Sequence, residues 1–90
     1  MHLTDNQLKI MRALQEKNPD GSYMDLDQLL DILATDYDWV TTKAALQWSL
    51  RKLIAMEVIE RLGKDLRRHR SRRILRLTEL GDKVMGPARR

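Results

Sequence analysis

The chain has 90 residues and a mass of 10.6 kDa, which is enough for one small domain. Hydrophobic residues make up 42% and charged residues 33%, a balance too apolar for a disordered chain and too charged for a membrane protein. No apolar run approaches the roughly 20 residues that cross a bilayer, no signal-peptide pattern opens the sequence, and the lack of cysteine excludes disulfides and cysteine-ligated metals. We therefore expect a cytoplasmic protein that its hydrophobic core alone holds together.

Charge is divided unevenly along the sequence. Residues 1–40 contain three basic and eight acidic side chains, whereas residues 41–90 contain fourteen basic and five acidic ones. The two parts therefore have net charges of −5 and +9, which give the overall +4. Such a bipolar distribution suits a polyanionic partner whose binding weakens with salt.

The first predicted helix covers residues 3–17. Thr4 and Gln7 match a capping box, in which each side chain accepts a hydrogen bond from a backbone amide at the helix start. Asn-Pro-Asp-Gly at residues 18–21 should end the helix, because proline disfavours helix before it and Asp-Gly is a turn pair. The apolar positions recur at helical spacing and are Leu8, Ile10, Met11 and Leu14.

A second predicted helix begins after residues 22–24, which are too short for more than a single extended bridge. Asp25 is its expected cap, with Gln28 as the capping-box partner. The polar and aromatic connector at residues 36–40 then leads to a third helix. The buried face of the second helix is predicted to consist of Leu26, Leu29, Leu30 and Leu33.

The third predicted helix runs from about residue 43 to 56, after the cap pair Thr41 and Thr42. Its inward positions are predicted to be Leu46, Leu50 and Leu53. Helical spacing then predicts which residues face away from the core. They are Ala44, Gln47, Trp48 and Arg51, with Lys52 near the edge of that face.

Two strands and a short helix complete the predicted order. Residues 58–62 predict a strand that Gly63 ends, and residues 72–77 predict its antiparallel partner. Thr78 should cap a final helix that extends to residue 85. We expect one domain over residues 1–86, followed by a basic tail at residues 87–90.

This order of elements is that of a winged helix-turn-helix domain, and four stretches carry a closer likeness. They are Leu50-Arg51-Lys52-Leu53, Val58-Ile59-Glu60-Arg61, Asp65-Leu66-Arg67-Arg68 and Leu77-Thr78-Glu79-Leu80-Gly81. These stretches resemble the wing region of MarR- and PadR-type bacterial transcriptional regulators. The resemblance covers about residues 22–83. The resemblance implies a mainly α fold with a small antiparallel hairpin. Glu57 departs from the pattern at a turn where these families usually have glycine, and the long flanking helices that dimerise MarR-type proteins are absent.

The hairpin region is unusually rich in arginine, and Asp65 is its only acidic residue between residues 61 and 76. Arginine binds phosphate with two hydrogen bonds and can enter a narrow minor groove. A solvated strand edge is the alternative, but it needs fewer charges. An anionic membrane is disfavoured, because no amphipathic helix with bulky apolar anchors accompanies the cluster. The eight basic residues are Arg61, Lys64, Arg67, Arg68, Arg70, Arg72, Arg73 and Arg76.

The exposed side of the third helix supplies candidates for base recognition. Gln47 can read adenine, and Arg51 can read guanine or hold a phosphate. Trp48 could contact DNA or another subunit, or it could lie in the core if the predicted helical phase is wrong by one position. Thr41, Thr42 and Lys43 mark a helix start that favours phosphate, although the two threonines could be caps alone.

No other pattern points to chemistry. The aspartates at positions 25, 27, 31, 36 and 38 lack EF-hand spacing, and His2 and His69 are far apart. No nucleophile has a visible acid–base partner, so we expect no enzyme, no cofactor and no metal.

We predict sequence-specific binding of duplex DNA by a small transcriptional regulator, which we expect to act as a homodimer. The third helix should enter the major groove while the wing holds the backbone or the minor groove. A protein-interaction adaptor and a structured-RNA binder are the alternatives. The predicted DNA-binding residues are Thr41, Thr42, Lys43, Gln47, Trp48, Arg51, Lys52, Lys64, Arg67, Arg68, Arg70, Arg72 and Arg73.

Overall fold

The described part of the chain has four helices and one small sheet. A computed structural model describes the backbone of residues 3–16, 24–67 and 70–86, and the side chains of residues 3–16, 24–61 and 75–86. The predicted turn at residues 18–21 and the predicted tail at residues 87–90 lie outside these ranges. The elements are α1 (Asp5–Glu16), β1 (Met24–Asp25), α2 (Leu26–Asp36), α3 (Lys43–Ala55), β2 (Ile59–Arg67), β3 (Arg70–Leu77) and α4 (Glu79–Met85).

Both predicted capping boxes are confirmed. At the start of α1, the Gln7 amide donates to Thr4 Oγ1 at 3.2 Å and the Thr4 amide donates to Gln7 Oε1 at 2.9 Å. At the start of α2, the Gln28 amide donates to Asp25 Oδ1 at 2.9 Å and the Asp25 amide donates to Gln28 Oε1 at 3.0 Å. Each reciprocal pair satisfies two amides that a helix start leaves without a partner.

The sheet contains one strand more than the predicted hairpin. Its order is β1-β3-β2, and all pairings are antiparallel. Met24 pairs with Leu75, which is the one bridge predicted for residues 22–24, and Asp25 lengthens it to a two-residue strand by pairing with Ile74. Residues 22–23 lie outside the described residues. Asp25 is therefore both the N-cap of α2 and a residue of β1, and this double role anchors α2 to the sheet.

The hairpin is longer than predicted, and Gly63 does not end β2, which continues to Arg67. Between Arg61 and Lys64, β2 advances three residues while β3 advances two, from Leu75 to Arg73. The extra residue is accommodated as a bulge, which bends a strand without ending its pairing. Likewise, β3 begins at Arg70, two residues before its predicted start.

A single core unites all the elements except α4, which packs at its edge. The inward triad predicted for α3, Leu46, Leu50 and Leu53, is fully buried, whereas Leu26 and Leu30 of α2 are only partly buried against the core. Among the side chains that the structure describes, the buried hydrophobic residues are Ile10, Met11, Ala13, Leu14, Met24, Leu29, Leu33, Leu46, Leu50, Leu53, Val58, Ile59, Leu75 and Leu77.

A Schellman motif ends α3 and directs the chain into the wing. The Glu57 amide donates to the Ile54 carbonyl at 2.9 Å, and the Val58 amide donates to the Leu53 carbonyl at 3.3 Å. This pattern requires a left-handed residue, and Glu57 has φ 64°. Glu57 stands where the families named above usually have glycine, and it adopts the left-handed conformation that favours glycine.

Thr78 joins this turn to α4. Its hydroxyl donates to the Glu57 carbonyl at 2.6 Å and accepts from the Gly81 amide at 3.0 Å, while its own amide donates to the Val58 carbonyl at 3.1 Å. Gly81 allows the close approach, because a Cβ there would lie 2.1 Å from the Val58 carbonyl oxygen. We call Glu57, Val58, Thr78 and Gly81 the wing junction, since they fix α3, the hairpin and α4 to one another.

Candidate nucleic-acid interface

The connection between α2 and α3 sets the direction of α3. Asp38 adopts a left-handed conformation with φ 51°, and the Trp39 amide donates to the Leu33 carbonyl at 3.0 Å. Thr42 then caps α3, because its hydroxyl accepts from the Ala45 amide at 3.1 Å. Of the predicted cap pair, Thr42 is thus the N-cap, while Thr41 is half-buried beside it.

The outer side of α3 is exposed, as the helical spacing predicts. Trp48 keeps 61% of its surface accessible, so it is not a core residue whose phase was misjudged. A shallow apolar groove of about 180 Å³ lies beside it, lined by Trp48, Arg51, Lys52 and Ala55. This face combines an indole, an amide and cations, and its exposed members are Lys43, Ala44, Gln47, Trp48, Arg51 and Lys52.

An ion pair that the sequence did not predict holds the start of α3. Lys43 Nζ lies 3.1 Å from Asp27 Oδ1, in the first turn of α2. Both side chains are about half exposed, so solvent weakens the attraction. The carboxylate nevertheless lowers the positive potential where a phosphate would approach the free amides of α3.

A cleft separates α3 from the sheet. Its volume is about 260 Å³, and it is lined by Leu26, Gln47, Leu50, Arg61 and Leu75. These residues come from α2, α3, β2 and β3, so the cleft lies where the helix-turn-helix meets the wing. Arg61 belongs to the basic cluster seen in the sequence, but sequence reasoning did not select it as a binding residue.

The backbone of the wing is described, although its predicted binding side chains are not. Register places Lys64 opposite Arg73, Asp65 opposite Arg72, and Arg67 opposite Arg70. The side chains of all of these, and the whole of Arg68, lie outside the described residues. Their contact with DNA stays a prediction, as it does for the residues of α3.

Other charged contacts stabilise the scaffold. Arg76 pairs across the hairpin with Glu60. The Tyr37 hydroxyl donates to Glu16 Oε1 at 2.9 Å, which ties the end of α2 to the end of α1. Burial, and then the hydrogen bond and the negative charge of Glu16, raise the pKa of Tyr37 above its usual value.

The residues that the structure describes form neither a metal site nor a membrane span. No three residues among His, Cys, Asp and Glu come together there in a way that could bind a metal ion. None of the helices described has the length and apolar character needed to cross a bilayer.

Comparison with known proteins supports the fold. No protein-family model matches the sequence, and no curated protein matches it. The structure is similar to that of Bacillus subtilis PadR, solved in complex with operator DNA, with a TM-score of 0.72, 12% identity and 91% of this chain covered. The matched region is 45% of the PadR chain, so this chain spans less than half of that protein. The predicted winged helix-turn-helix fold is confirmed, and the resemblance to PadR is confirmed at the level of the fold.

Proposed function

We propose that this chain is a sequence-specific duplex-DNA-binding protein that regulates transcription. The observation that carries the proposal is the exposed, chemically mixed face of α3 beside an arginine-rich wing, within a winged-helix fold. The similar PadR structure contains operator DNA, which supports the same class of ligand here.

In the proposed complex, the N-terminal half of α3 enters the major groove. Gln47 and Arg51 reach base edges, because an amide pairs with adenine and a guanidinium pairs with guanine through two hydrogen bonds each. Trp48 lies between them on the same exposed face and adds apolar contact area. The backbone amides after Thr42 meet a phosphate, with Thr41, Lys43 and Lys52 at the edges of the contact.

The wing supplies affinity rather than sequence preference. Six of its eight basic residues hold the flanking backbone or the minor groove. These six are Lys64, Arg67, Arg68, Arg70, Arg72 and Arg73. A positive wing together with the acidic α2 also orients the protein as it approaches a polyanion.

We further propose a homodimer in the cytoplasm, bound to a two-fold operator. Recognition helices of this kind read two half-sites about one helical turn apart, which requires two copies. The subunit contact comes from α1 or from Trp48. Residues 1–86 form the single domain, and the basic tail at residues 87–90 adds charge near it.

The test separates the two parts of the surface. Replacing Arg67, Arg68 and Arg70 with alanine should weaken binding to every duplex by a similar factor and flatten the salt slope by about one to three units. Replacing Gln47 or Arg51 should instead relax sequence preference, at about 1–3 kcal/mol per lost base contact. Titrations at several salt concentrations, on a selected duplex and on random DNA, measure both effects.

Lys83→Ala is the control, since it removes one cation from exposed α4 and should leave binding almost unchanged. If the triple variant binds duplexes as the parent does, the wing is a solvated edge and the adaptor hypothesis replaces this one. The bipolar charge favours that alternative next, with charged protein surfaces as partners. Preference for structured RNA over duplex DNA in the same titrations would instead identify an RNA-binding protein.

A further inference from the structure

Arg61 occupies a strand position that alternation would reserve for an apolar side chain. Ile59, two residues earlier on β2, is buried, and so is Leu75, the cross-strand partner of Arg61. Side chains two apart on a strand, and those directly opposite across a pair, lie on the same face of a sheet. Arg61 therefore extends from the core face of the sheet, yet it is exposed.

The cleft between α3 and β2 explains how a cation can stand there. Arg61 lines it on the strand side and Gln47 lines it on the helix side, while Leu26, Leu50 and Leu75 supply apolar walls. An arginine at such a position holds its guanidinium next to a surface that excludes part of the water. Charge–charge attraction is stronger in that setting than on an open surface.

Arg61 also differs from the neighbouring cations in its partners. Lys43 is paired with Asp27, and Arg76 is paired with Glu60. Within the part of the chain that the structure describes, Arg61 has no ion-pair partner. Its guanidinium therefore remains available to an anion from outside the protein.

We propose that this cleft is a subsite for one backbone phosphate of duplex DNA, held by Arg61. The inference rests on the proposed function and adds a residue to it. A guanidinium presents two parallel N–H donors to two phosphate oxygens, which suits the unesterified oxygens of a DNA backbone. When a recognition helix lies in the major groove and a wing follows the flanking backbone, one strand passes between them, and the cleft lies between α3 and the wing.

The phosphate would fix the register of α3 against the bases. Phosphate contacts position a protein on the duplex without carrying sequence information, whereas base contacts specify the sequence. Arg61 and Gln47 line opposite sides of one cleft, so a phosphate held by Arg61 sets how far Gln47 reaches toward the base edges. Arg61 is thus a positioning residue for recognition by α3.

The experiment compares three single variants on a random-sequence duplex about two helical turns long. Arg61→Gln should weaken binding about tenfold and reduce the salt slope by about 0.9, because one phosphate contact is lost. Arg61→Lys should keep the slope and bind less tightly than the parent, since it retains the charge without the fork. Arg76 is next on β3 to Leu75, the cross-strand partner of Arg61, and it lies on the opposite face of the sheet. Arg76→Gln should therefore change the salt slope much less.

A second measurement locates the contact. Neutral methylphosphonate linkages are introduced one at a time into a duplex selected for tight binding. The parent should lose affinity at one linkage per half-site, and Arg61→Gln should be insensitive at that linkage. Base preference should be weakened less by Arg61→Gln, which removes only the phosphate that positions Gln47, than by Gln47→Ala, which removes the base contact itself.

The outcomes separate this inference from the proposal on which it rests. A parent protein that binds no duplex overturns both. A parent that binds duplex DNA while Arg61→Gln keeps its affinity and slope overturns only the phosphate subsite. Equal losses for Arg61→Gln and Arg76→Gln would also overturn it, because they would reflect general charge. If Arg61→Gln does not fold, Arg61→Lys is the test of the phosphate subsite, because it preserves the charge and the aliphatic stem. A lysine variant that binds as tightly as the parent would then overturn the subsite.

Discussion

The wing junction is closely packed and hydrogen-bonded, whereas the outer face of α3 is exposed to solvent, although both belong to the same helix-and-hairpin unit. At the wing junction, hydrogen bonds and close backbone contact join the end of α3 to the hairpin and α4. On the outer face, Gln47, Trp48 and Arg51 are exposed to solvent. Stability and the proposed DNA recognition therefore depend on different residues, and substitutions should affect one without the other.

Gly81→Ala should give the largest effect and would sharpen this division. A Cβ at Gly81 would lie 2.1 Å from the Val58 carbonyl oxygen, and a backbone atom cannot rotate away as a side chain can. We expect a loss of about 3 kcal/mol in the free energy of unfolding, at the upper end for overpacked sites. Urea denaturation monitored by circular dichroism measures it.

Gly86→Ala is the matched control for that loss. Gly86 has open space around it, but its φ of 73° and ψ of −168° lie in a backbone region that is essentially restricted to glycine. Alanine there meets no clash and only a backbone cost of about 1–3 kcal/mol. If Gly81→Ala costs no more than Gly86→Ala, the close approach of α4 is not what stabilises the junction.

Thr78→Ala should have the next largest effect. The hydroxyl caps α4 and also donates to the Glu57 carbonyl, so its removal breaks two hydrogen bonds. We expect a loss of about 1–2 kcal/mol in the free energy of unfolding, measured by thermal denaturation. Thr78→Ser keeps both bonds and should retain most of the stability. A serine variant as unstable as the alanine variant would mean that the methyl group matters instead.

Glu57→Gly should stabilise the protein, in contrast to the three preceding substitutions. Glycine relieves the left-handed conformation at φ 64°, although it also gains freedom in the unfolded chain. We expect a net gain of about 0.5–1 kcal/mol in unfolding free energy. Glu57→Ala keeps the strain and removes the charge, so an equal gain from both variants would assign the effect to electrostatics.

Trp48→Ala should have the smallest effect on stability and would break the comparison if it did not. An exposed site changes unfolding free energy by within about 0.5 kcal/mol, whereas a buried tryptophan costs about 3–5 kcal/mol. The same variant should weaken DNA binding or dimerisation, measured by anisotropy and analytical ultracentrifugation. Trp39→Ala is the comparison variant, since Trp39 is partly buried against the core and should cost more stability.

Features that depend on local spacing could be predicted from the sequence. The capping boxes at Thr4 and Asp25 require two side chains three positions apart, and both formed. The phase of α3 follows from its leucines, which predicted that Trp48 would be exposed. Such patterns depend on one element at a time.

Features that depend on a partner element could not be predicted in this way. The passage of β2 beyond Gly63 needs β3 to pair across the bulge, and a glycine alone suggests an end. The role of Gly81 depends on Val58, which is distant in sequence. The ion pair of Lys43 with Asp27 likewise appears only once α2 and α3 pack. The alternation from Ile59 to Arg61 was a signal that sequence reasoning could have used.

The exposure of Trp48 has an optical consequence. The chain has two tryptophans, and they differ in environment, because Trp48 is open to solvent while Trp39 packs against the core. A solvent-exposed indole emits at longer wavelength and is quenched by iodide, whereas a packed one is shielded. The intrinsic fluorescence of Trp48 thus supplies a label-free probe of whatever approaches the outer face of α3, while Trp39 reports on the integrity of the fold.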